Sequence, residues 1–218
     1  MSLDQAWLDR LAHDLRGPLS PLQAAAELLR DPGTREAERE RLLDVLDDQV
    51  RRLDSMVGEF SDLLAAERGQ LLLAREPVDV AALARDTSAA LPRPQPVVVF
   101  APGSEALLVE GDPHRLGQLF ATLLGRLVPP GCSTSAEARI ESRGTRMHMA
   151  CTVPCRDATD LLAASLLAAP HPDPPDGALG LGLMVATAIA RAHGGQLQGR
   201  ARGRDALEFL LELPALPA

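Results

Sequence analysis

Lysine is absent from this 218-residue chain, and all 22 basic side chains are arginines. Catalytic schemes that depend on a lysine, such as the phosphate-binding P-loop and Schiff-base formation, are therefore excluded. Aromatic residues are also scarce, at 2%, so aliphatic side chains must fill the core that a hydrophobic fraction of 46% predicts. The formal net charge of −8 argues against nucleic acid as a partner, because a nucleic-acid binder needs a basic face.

Cysteine is rare as well, and an odd number of three gives no paired disulfide framework. Cys151 and Cys155 lack partners at metal-ligand spacing, so we expect ordinary buried thiols and no metal site. The third cysteine is Cys132. No apolar run approaches the ~18 residues that span a bilayer, and the N-terminus lacks the pattern of a secretory signal. We therefore expect a cytoplasmic protein with no membrane partner.

The first third of the chain has the pattern of two amphipathic helices. Apolar residues recur every three or four positions from Leu3 to Arg30, and again after a break at 31–34. We expect Gly33 to stop the first helix in a left-handed conformation and Thr34 to cap the second. The apolar positions are Leu8, Leu11, Leu15, Leu19, Leu22, Ala26 and Leu29 in the first helix, and Leu42, Leu46, Val50, Leu53, Val57, Phe60 and Leu64 in the second.

The spacing in the second helix predicts a dimer. Its apolar steps alternate between four and three over three heptads, which is the repeat of a left-handed bundle. Two helices alone bury two apolar stripes poorly. The sequence therefore predicts a homodimer in which two hairpins form a four-helix bundle.

Beyond residue 68, short apolar strands alternate with helices, which predicts a two-layer α/β sandwich with helices on one face of a mixed sheet. The predicted strands are Val97–Phe100, Leu107–Glu110, Ala138–Ser142, Met147–Val153, Gln196–Arg200 and Leu207–Leu213. The predicted helices are Val80–Leu91, Pro113–Leu127, Thr159–Ala168 and Leu181–Ala192. The domains are thus the hairpin at 1–68, a linker at 69–75 and the α/β domain at 76–218.

His13 is the first candidate for chemistry. By the 100° per residue of a helix, it points away from the stripe of Leu11 and Leu15. An exposed imidazole beside the carboxylate of Asp14 suits nucleophilic attack on phosphorus, because the acid can hold the proton on one ring nitrogen while the other attacks. Pro18 cannot donate a hydrogen bond to the carbonyl of Asp14, so we expect a bend one turn from the imidazole. The alternative for an isolated pair is a surface histidine without function.

The run His13-Asp14-Leu15-Arg16-Gly17-Pro18-Leu19 closely resembles the H-box of bacterial two-component histidine kinases. The resemblance implies that His13 is phosphorylated, that Asp14 is its acid/base partner, and that Arg16 and Pro18 support them. It covers nearly the whole chain, with a HisKA-type hairpin first and an ATP-binding domain of the Bergerat or GHKL type second. Gly17 departs from the family, which places Thr or Asn there to orient water in phosphatases, so phosphatase activity is not expected.

The second domain resembles the family's nucleotide site in only some of its motifs. Gly180 and Gly182 open a helix as the second glycine box does, where backbone N–H groups bind phosphates. The alternative is that these glycines only allow close packing.

Other parts of this nucleotide site depart from the family. Thr122 and Arg126 stand where the family has two asparagines, the second of which binds Mg²⁺, and an Arg would oppose the cation. Asp157 does not fit the register of the first glycine box, and the lid at 170–177 is short and proline-rich.

These departures predict a degenerate ATP site. The preferred interpretation is a dimeric histidine phosphotransferase derived from a kinase, which needs no cofactor and exchanges a phosphoryl group between His13 and response-regulator receiver domains. An upstream histidine kinase would then be a further partner. The alternatives are an active kinase core, which would use ATP and Mg²⁺, and an interaction module without phosphate. We expect receivers to dock near Leu22, Gln23, Met56 and Val57.

Overall fold

The computed structural model describes residues 5–71, 74–91, 95–104, 106–125, 137–171 and 178–217. The chain begins with a helical hairpin of α1 (Gln5–Arg16), α2 (Leu19–Arg30) and α3 (Glu36–Glu67). The longest helix, α3, packs along α2. The two amphipathic stretches are therefore helices that form a hairpin, as the apolar spacing predicted.

The turn between α2 and α3 lies at the predicted break but is built differently. Gly33 has no positive φ, and Arg35 rather than Thr34 is the residue that precedes α3. The Asp31 carboxylate accepts a hydrogen bond from the Gly33 N–H at 2.8 Å, and the Thr34 hydroxyl donates to the Leu28 carbonyl at 2.6 Å. The two caps predicted here are wrong because short polar side chains close the turn instead.

The predicted bend near His13 is confirmed as a break between α1 and α2. The Gly17 N–H donates to the Asp14 carbonyl at 3.2 Å, which is a tighter turn than the α-helix makes. Pro18 has helical angles (φ −67°, ψ −24°) but no N–H to continue the ladder. The helix is therefore interrupted at Gly17 and Pro18, four and five residues after the imidazole.

The α/β domain begins with a strand that the sequence did not predict. This strand, β1 (Glu76–Asp79), pairs antiparallel with β3 (Leu108–Gly111) in a small two-stranded sheet. A second sheet has five strands in the order β2-β4-β5-β7-β6. Its strands are β2 (Val97–Phe100), β4 (Glu137–Arg143), β5 (Arg146–Pro154), β6 (Gln196–Ala201) and β7 (Ala206–Pro214).

The large sheet is mixed, as predicted, because β2 runs parallel to β4 while every other pair is antiparallel. Burial alternates along β5, with Met147, Met149, Cys151 and Val153 buried between half-buried neighbours. Such alternation means that one face of the sheet carries the core and the other faces solvent. The four helices of the domain are α4 (Val80–Ala90), α5 (Pro113–Gly125), α6 (Asp160–Ala168) and α7 (Gly182–Ala192).

The two parts of the chain differ in how much they bury. The α/β domain supplies most of the core, which includes Phe120, Ile140 and Phe209. Among the hairpin residues whose side chains are described, Ala25, Met56 and Leu63 are the buried aliphatic ones apart from Pro18. Met56 and Leu63 belong to the same core cluster as the domain, so α3 packs against the α/β domain as well as against α2.

Candidate functional site

His13 lies on the surface of α1 with 86% of its side chain exposed. Leu11 and Leu15, on the opposite side of the helix, pack against the core cluster and fix the direction in which the imidazole points. The Nδ1 atom lies 3.1 Å from Oδ1 of Asp14. If Nδ1 donates its proton to that carboxylate, the lone pair of Nε2 is directed to solvent and is free to attack phosphorus.

The residues after the imidazole form the bend. Arg16 and Gly17 are exposed, whereas Pro18 is buried. A Cβ atom on Gly17 would lie 3.2 Å from the Asp14 carbonyl oxygen, which is close but does not block a side chain. The supporting roles of Arg16 and Pro18 stay predictions, since neither side chain has a described contact with the imidazole.

The structure separates the four residues of the predicted receiver surface. Gln23 and Val57 are exposed and Leu22 is half-buried. Met56, in contrast, is 1% exposed and packs in the core cluster. Its inclusion was wrong, because Met56 and Val57 lie 100° apart on α3 and only Val57 faces solvent.

The glycine turn before α7 is shaped by packing. Gly180 has φ +73°, and a Cβ there would lie 2.7 Å from the carbonyl oxygen of His171. The Gly180 carbonyl accepts a hydrogen bond from the His171 N–H at 2.9 Å. Close approach of two backbone segments therefore accounts for Gly180. Gly182 is the first residue of α7 and lines the cleft described next.

A cleft lies between α5 and the start of α7, at the place where the family resemblance puts the phosphates. Its volume is about 100 Å³, which is below the roughly 300–1,000 Å³ of ligand pockets. Thr122 is buried, and its hydroxyl donates to the Gln118 carbonyl one turn earlier rather than into the cleft. The lining residues are Glu59, Gln118, Ala121, Thr122, Gly182 and Val185.

Two acidic residues of α3 form hydrogen bonds with residues of α5 and with the residue before α7 at the edge of this cleft. The Asp62 carboxylate accepts from Arg115 Nη1 at 2.6 Å and from Gln118 Nε2 at 2.6 Å. One turn earlier, the 7% exposed Glu59 accepts from the Leu181 N–H at 3.4 Å. The sequence analysis missed both acids. Their spacing could have indicated them: Glu59 and Asp62 are three residues apart and lie on the same face of α3 as the buried Met56.

The segment after β5 does not form a nucleotide loop. The Cys155 N–H donates to the Asp205 carbonyl at 2.9 Å, and the Ala158 N–H donates to the Arg204 carbonyl at 3.0 Å. These bonds attach the segment to the turn between β6 and β7. Asp157 is exposed with φ +54°, a turn conformation that Asp tolerates. Arg126 and residues 172–177 of the proline-rich lid lie outside the described residues.

Asp112 is a structural centre that the sequence analysis also missed. Its Oδ1 caps α5 by accepting from the Arg115 N–H at 3.0 Å, and its Oδ2 accepts from the Ala74 N–H at 2.8 Å. These backbone bonds, the Arg115 bond first, lower the pKa of the carboxyl group. The Asp112 N–H donates to Nε2 of the buried His193, whose Nδ1 must then donate to the Ile189 carbonyl at 2.8 Å. Asp followed by Pro113 is a helix-start signal that could have found this residue.

The cysteines show no reactive site. Cys151 is buried, its thiol donates to the Leu123 carbonyl, and burial raises its pKa to about 12. Cys155 is half-buried, so only Cys151 matches the expected burial, and Cys132 lies outside the described residues.

The described part of the chain contains no candidate metal site and no candidate membrane-spanning helix. Across that part, no group of three or more His, Cys, Asp or Glu side chains is placed to hold a metal ion. None of its helices is both long and apolar enough to cross a membrane.

Comparison with known sequences connects the hairpin to a phosphoacceptor domain. Residues 5–69 match the profile of the His Kinase A (phospho-acceptor) domain. The chain is 29% identical over 237 residues to the sensor protein ChvG of Rhizobium meliloti, and 28% identical over 223 residues to a bacteriophytochrome of Pseudomonas aeruginosa. Each alignment covers 95% of this chain but only 40% and 29% of the two relatives. The chain thus spans less than half the length of these relatives.

Comparison with solved structures supports the fold of both parts. The histidine kinase AdeS of Acinetobacter baumannii superimposes with a TM-score of 0.64 at 20% identity, over 93% of this chain and 97% of that chain. The histidine kinase ThkA, in a complex with the response regulator TrrA, gives 0.65 at 16% identity, over 97% of this chain and 62% of that chain. The hairpin followed by an α/β domain is therefore the arrangement found in histidine kinase structures.

Proposed function

We propose that the chain is a histidine kinase core whose His13 accepts a phosphoryl group and passes it to a response regulator, because its hairpin matches the His Kinase A (phospho-acceptor) domain and its sequence is similar to that of a sensor protein. In the first step Nε2 attacks phosphorus, an N–P bond forms, and the bond from phosphorus to the donor's oxygen breaks. In the second step an aspartate carboxylate of the regulator attacks, a P–O bond forms and the N–P bond breaks. Asp14 holds the Nδ1 proton throughout.

The observation that carries this proposal is the environment of His13. The imidazole is 86% exposed and lies 3.1 Å from a carboxylate, next to a bend that keeps its surroundings open. A donor and an acceptor of very different shape must both reach the same nitrogen, and only a surface position allows that. A histidine with a packing role, such as the buried His193, has both ring nitrogens bonded to the protein backbone.

ATP is the donor that the comparisons favour. The histidine kinases AdeS and ThkA superimpose on 93% and 97% of the chain, and so match the α/β domain as well as the hairpin. This supports the kinase interpretation better than the phosphotransferase interpretation preferred from the sequence. The helix that begins at Gly182 offers the N-terminal N–H groups that suit phosphates. Mg²⁺ would be needed to neutralise those phosphates, and among the described residues no group of three or more His, Cys, Asp or Glu side chains is placed to hold it.

A second candidate is a phosphotransferase that receives its phosphoryl group from a phosphorylated receiver, itself supplied by an upstream kinase. The support for this second candidate comes from the cleft between α5 and α7. The cleft of about 100 Å³ is too small for a nucleotide as it stands, and the Thr122 hydroxyl is bonded to its own helix. Under this candidate the α/β domain contributes contact surface and not catalysis.

We also propose that the hairpin forms a homodimer. Val50 and Val57, one heptad apart on α3, are each 55% exposed. Both belong to the apolar stripe that the sequence assigns to a bundle, and within one chain nothing in the described part buries them. A second copy would cover the stripe and complete a four-helix bundle.

Labelling with two donors tests the proposal. The purified chain is incubated either with γ-labelled ATP and Mg²⁺ or with a panel of receiver domains loaded beforehand from acetyl phosphate. Acid-labile label from ATP would establish the kinase, and label from receivers alone would establish the phosphotransferase. His13→Ala should abolish labelling in both cases. If neither donor labels the chain, both candidates are wrong and the interaction-module interpretation replaces them.

A further inference from the structure

A second concave surface lies away from His13 and from the cleft between α5 and α7. It is a groove of about 990 Å³ between the C-terminal end of α3, the helices α6 and α7, and strand β6. This volume is at the upper end of the roughly 300–1,000 Å³ of ligand pockets. Met184 and Ala188 line the groove, whereas Gly182 and Val185 line the cleft, so the two concavities lie on different sides of α7.

Aliphatic side chains form the interior of the groove. Leu63, Met184 and Leu197 are buried, and Leu167 of α6 is half-buried. Among the described residues no aromatic side chain lines the groove, so a flat ring would find no stacking partner there. The Thr187 hydroxyl also lines it but donates to the Leu183 carbonyl at 2.8 Å within its own helix. A ligand segment in this interior must therefore lack polar groups, because an unpaired polar atom costs free energy when it is buried.

A cation lies at the edge of this aliphatic surface. Arg191, in the last turn of α7, is exposed and lines the groove. Within the described part of the chain no acid forms an ion pair with Arg191, although Glu67 lines the groove as well. Nearby, Nη2 of Arg75 donates to the Ala192 carbonyl at 2.9 Å and so offsets the negative end of the helix. The Arg191 guanidinium is thus available to an anionic group of a ligand.

From the aliphatic interior and the single available cation we infer that the groove binds an amphiphile with an aliphatic chain and a carboxylate head, such as a fatty carboxylate. The stretch of α7 from Met184 to Arg191 is about 10 Å long, so the chain can lie along the helix with its head at Arg191. Four elements of the fold contribute to the concave lining. A free amphiphile fits such a concavity better than a membrane surface does. This site does not depend on the proposed phosphoryl transfer.

Binding of dodecanoate tests the carboxylate head. In equilibrium dialysis below the micelle concentration, the unaltered chain should bind dodecanoate saturably. Arg191→Gln should weaken that binding at least about tenfold, because a hydrogen bond to a charged group is lost. The same variant should leave binding of the uncharged methyl dodecanoate unchanged. Arg139→Gln is the matched control, since Arg139 is an exposed arginine on β4 that does not line the groove.

Filling the groove tests the place of the aliphatic chain. Ala164 lines the groove from an exposed position of α6, so Ala164→Trp puts a large side chain into it without disturbing the core. This variant should abolish binding of both dodecanoate and methyl dodecanoate. Ser165→Trp is the control, because Ser165 is the next exposed residue of α6 and does not line the groove. Circular dichroism checks that each variant is folded.

Four results would overturn the proposal. The first is no saturable binding of dodecanoate, which includes a groove filled by a second copy of the chain. The second is an equal effect of Arg191→Gln on the charged and the uncharged ligand. The third is binding that survives Ala164→Trp, because the amphiphile would then lie elsewhere. The fourth is attachment to vesicles of phosphatidylglycerol without binding of free dodecanoate, which would indicate a membrane surface instead.

Discussion

The surface around His13 and the cleft between α5 and α7 belong to one chain but differ in accessibility. The imidazole is largely exposed and has a carboxylate neighbour, whereas the cleft is small and bordered by a buried acid of α3. The imidazole is accessible to a partner, whereas the cleft is smaller than the roughly 300–1,000 Å³ of pockets that hold ligands. Accessibility thus distinguishes the proposed phosphoacceptor from the proposed nucleotide site.

The two parts also differ in what stabilises them. The α/β domain buries a continuous apolar core, and its sheet alternates buried and accessible side chains. The hairpin leaves Leu43, Val50 and Val57 more than half exposed. The domain is therefore complete within one chain, whereas the hairpin packs against α5 and α7 and leaves the apolar stripe that the proposed second copy would cover.

The largest expected effect is on association of the hairpins. The double variant Val50→Asp, Val57→Asp should weaken the dimer by at least about 1,000-fold, because each buried valine contributes about 1.5–3 kcal/mol and a charge in its place adds a desolvation cost. Sedimentation equilibrium measures the dimer constant. Leu161→Asp is the control, since Leu161 is 81% exposed on α6 of the other domain. A double variant that stays fully dimeric would contradict the bundle.

The next effect concerns the chemistry at the exposed site. Asp14→Asn should slow phosphoryl transfer to His13 by about 100-fold, because a neutral amide holds the Nδ1 proton and stabilises the positive charge that develops on the ring less well than a carboxylate does. Single-turnover transfer from a loaded receiver gives the rate. Glu27→Gln, an exposed acid on α2, should leave the rate unchanged. Equal rates for Asp14→Asn and the unaltered chain would show that the carboxylate does not act in the chemistry.

Most of the fold could be predicted because it depends on periodicity. The spacing of apolar residues predicted α2, α3 and the four helices of the α/β domain. Strand β2 has the predicted bounds. The small sheet escaped prediction because β1 includes Pro77 and has only Val78 buried, so it shows no apolar alternation. The pairing of β1 with β3, two strands that are distant in sequence, depends on the tertiary structure, and no local sequence pattern predicts it.

The exposed site could be predicted, whereas the contacts of Glu59 and Asp62 with the α/β domain could not. His13, Asp14 and Pro18 are neighbours in sequence, so one helix determines their geometry. Glu59 meets Leu181 across 122 positions, and Asp62 meets Arg115 across 53. Acids on a long charged helix resemble solvated surface residues until the packing of α3 against α5 and α7 is known. For the same reason Met56 was placed on the wrong side of its helix.

A third prediction compares two ion pairs on the same helix. Asp62→Asn should lower the free energy of unfolding by about 1.5–3 kcal/mol, because it weakens partly buried hydrogen bonds to a charged group. Asp48→Asn, whose pair with Arg51 is exposed, should leave stability unchanged. Urea unfolding of the two variants measures the difference. Similar losses in both variants would mean that α3 is not held through Asp62.

The smallest expected effect has a pH dependence. Asp112→Ala should cost about 1–2 kcal/mol at pH 7, since it removes the cap of α5 and the bond to the Ala74 N–H. The pKa of Asp112 is lowered in the folded chain, so its contribution is present above the unfolded value of about 3.9 and is lost as the pH falls through the lowered one. Urea unfolding at pH 7 and pH 3 should give a smaller cost at pH 3. A cost independent of pH would contradict the role of the carboxylate.

The central claim is that His13 carries the phosphoryl group, and mapping the modified residue tests it most directly. The chain is loaded from ATP with Mg²⁺ or from phosphorylated receivers, digested at neutral to alkaline pH to preserve phosphohistidine, and sequenced by mass spectrometry. The account predicts a phosphoryl group on His13, and none on His114, His148, His171 or His193. Phosphorylation of another residue, with His13 unmodified, would contradict it.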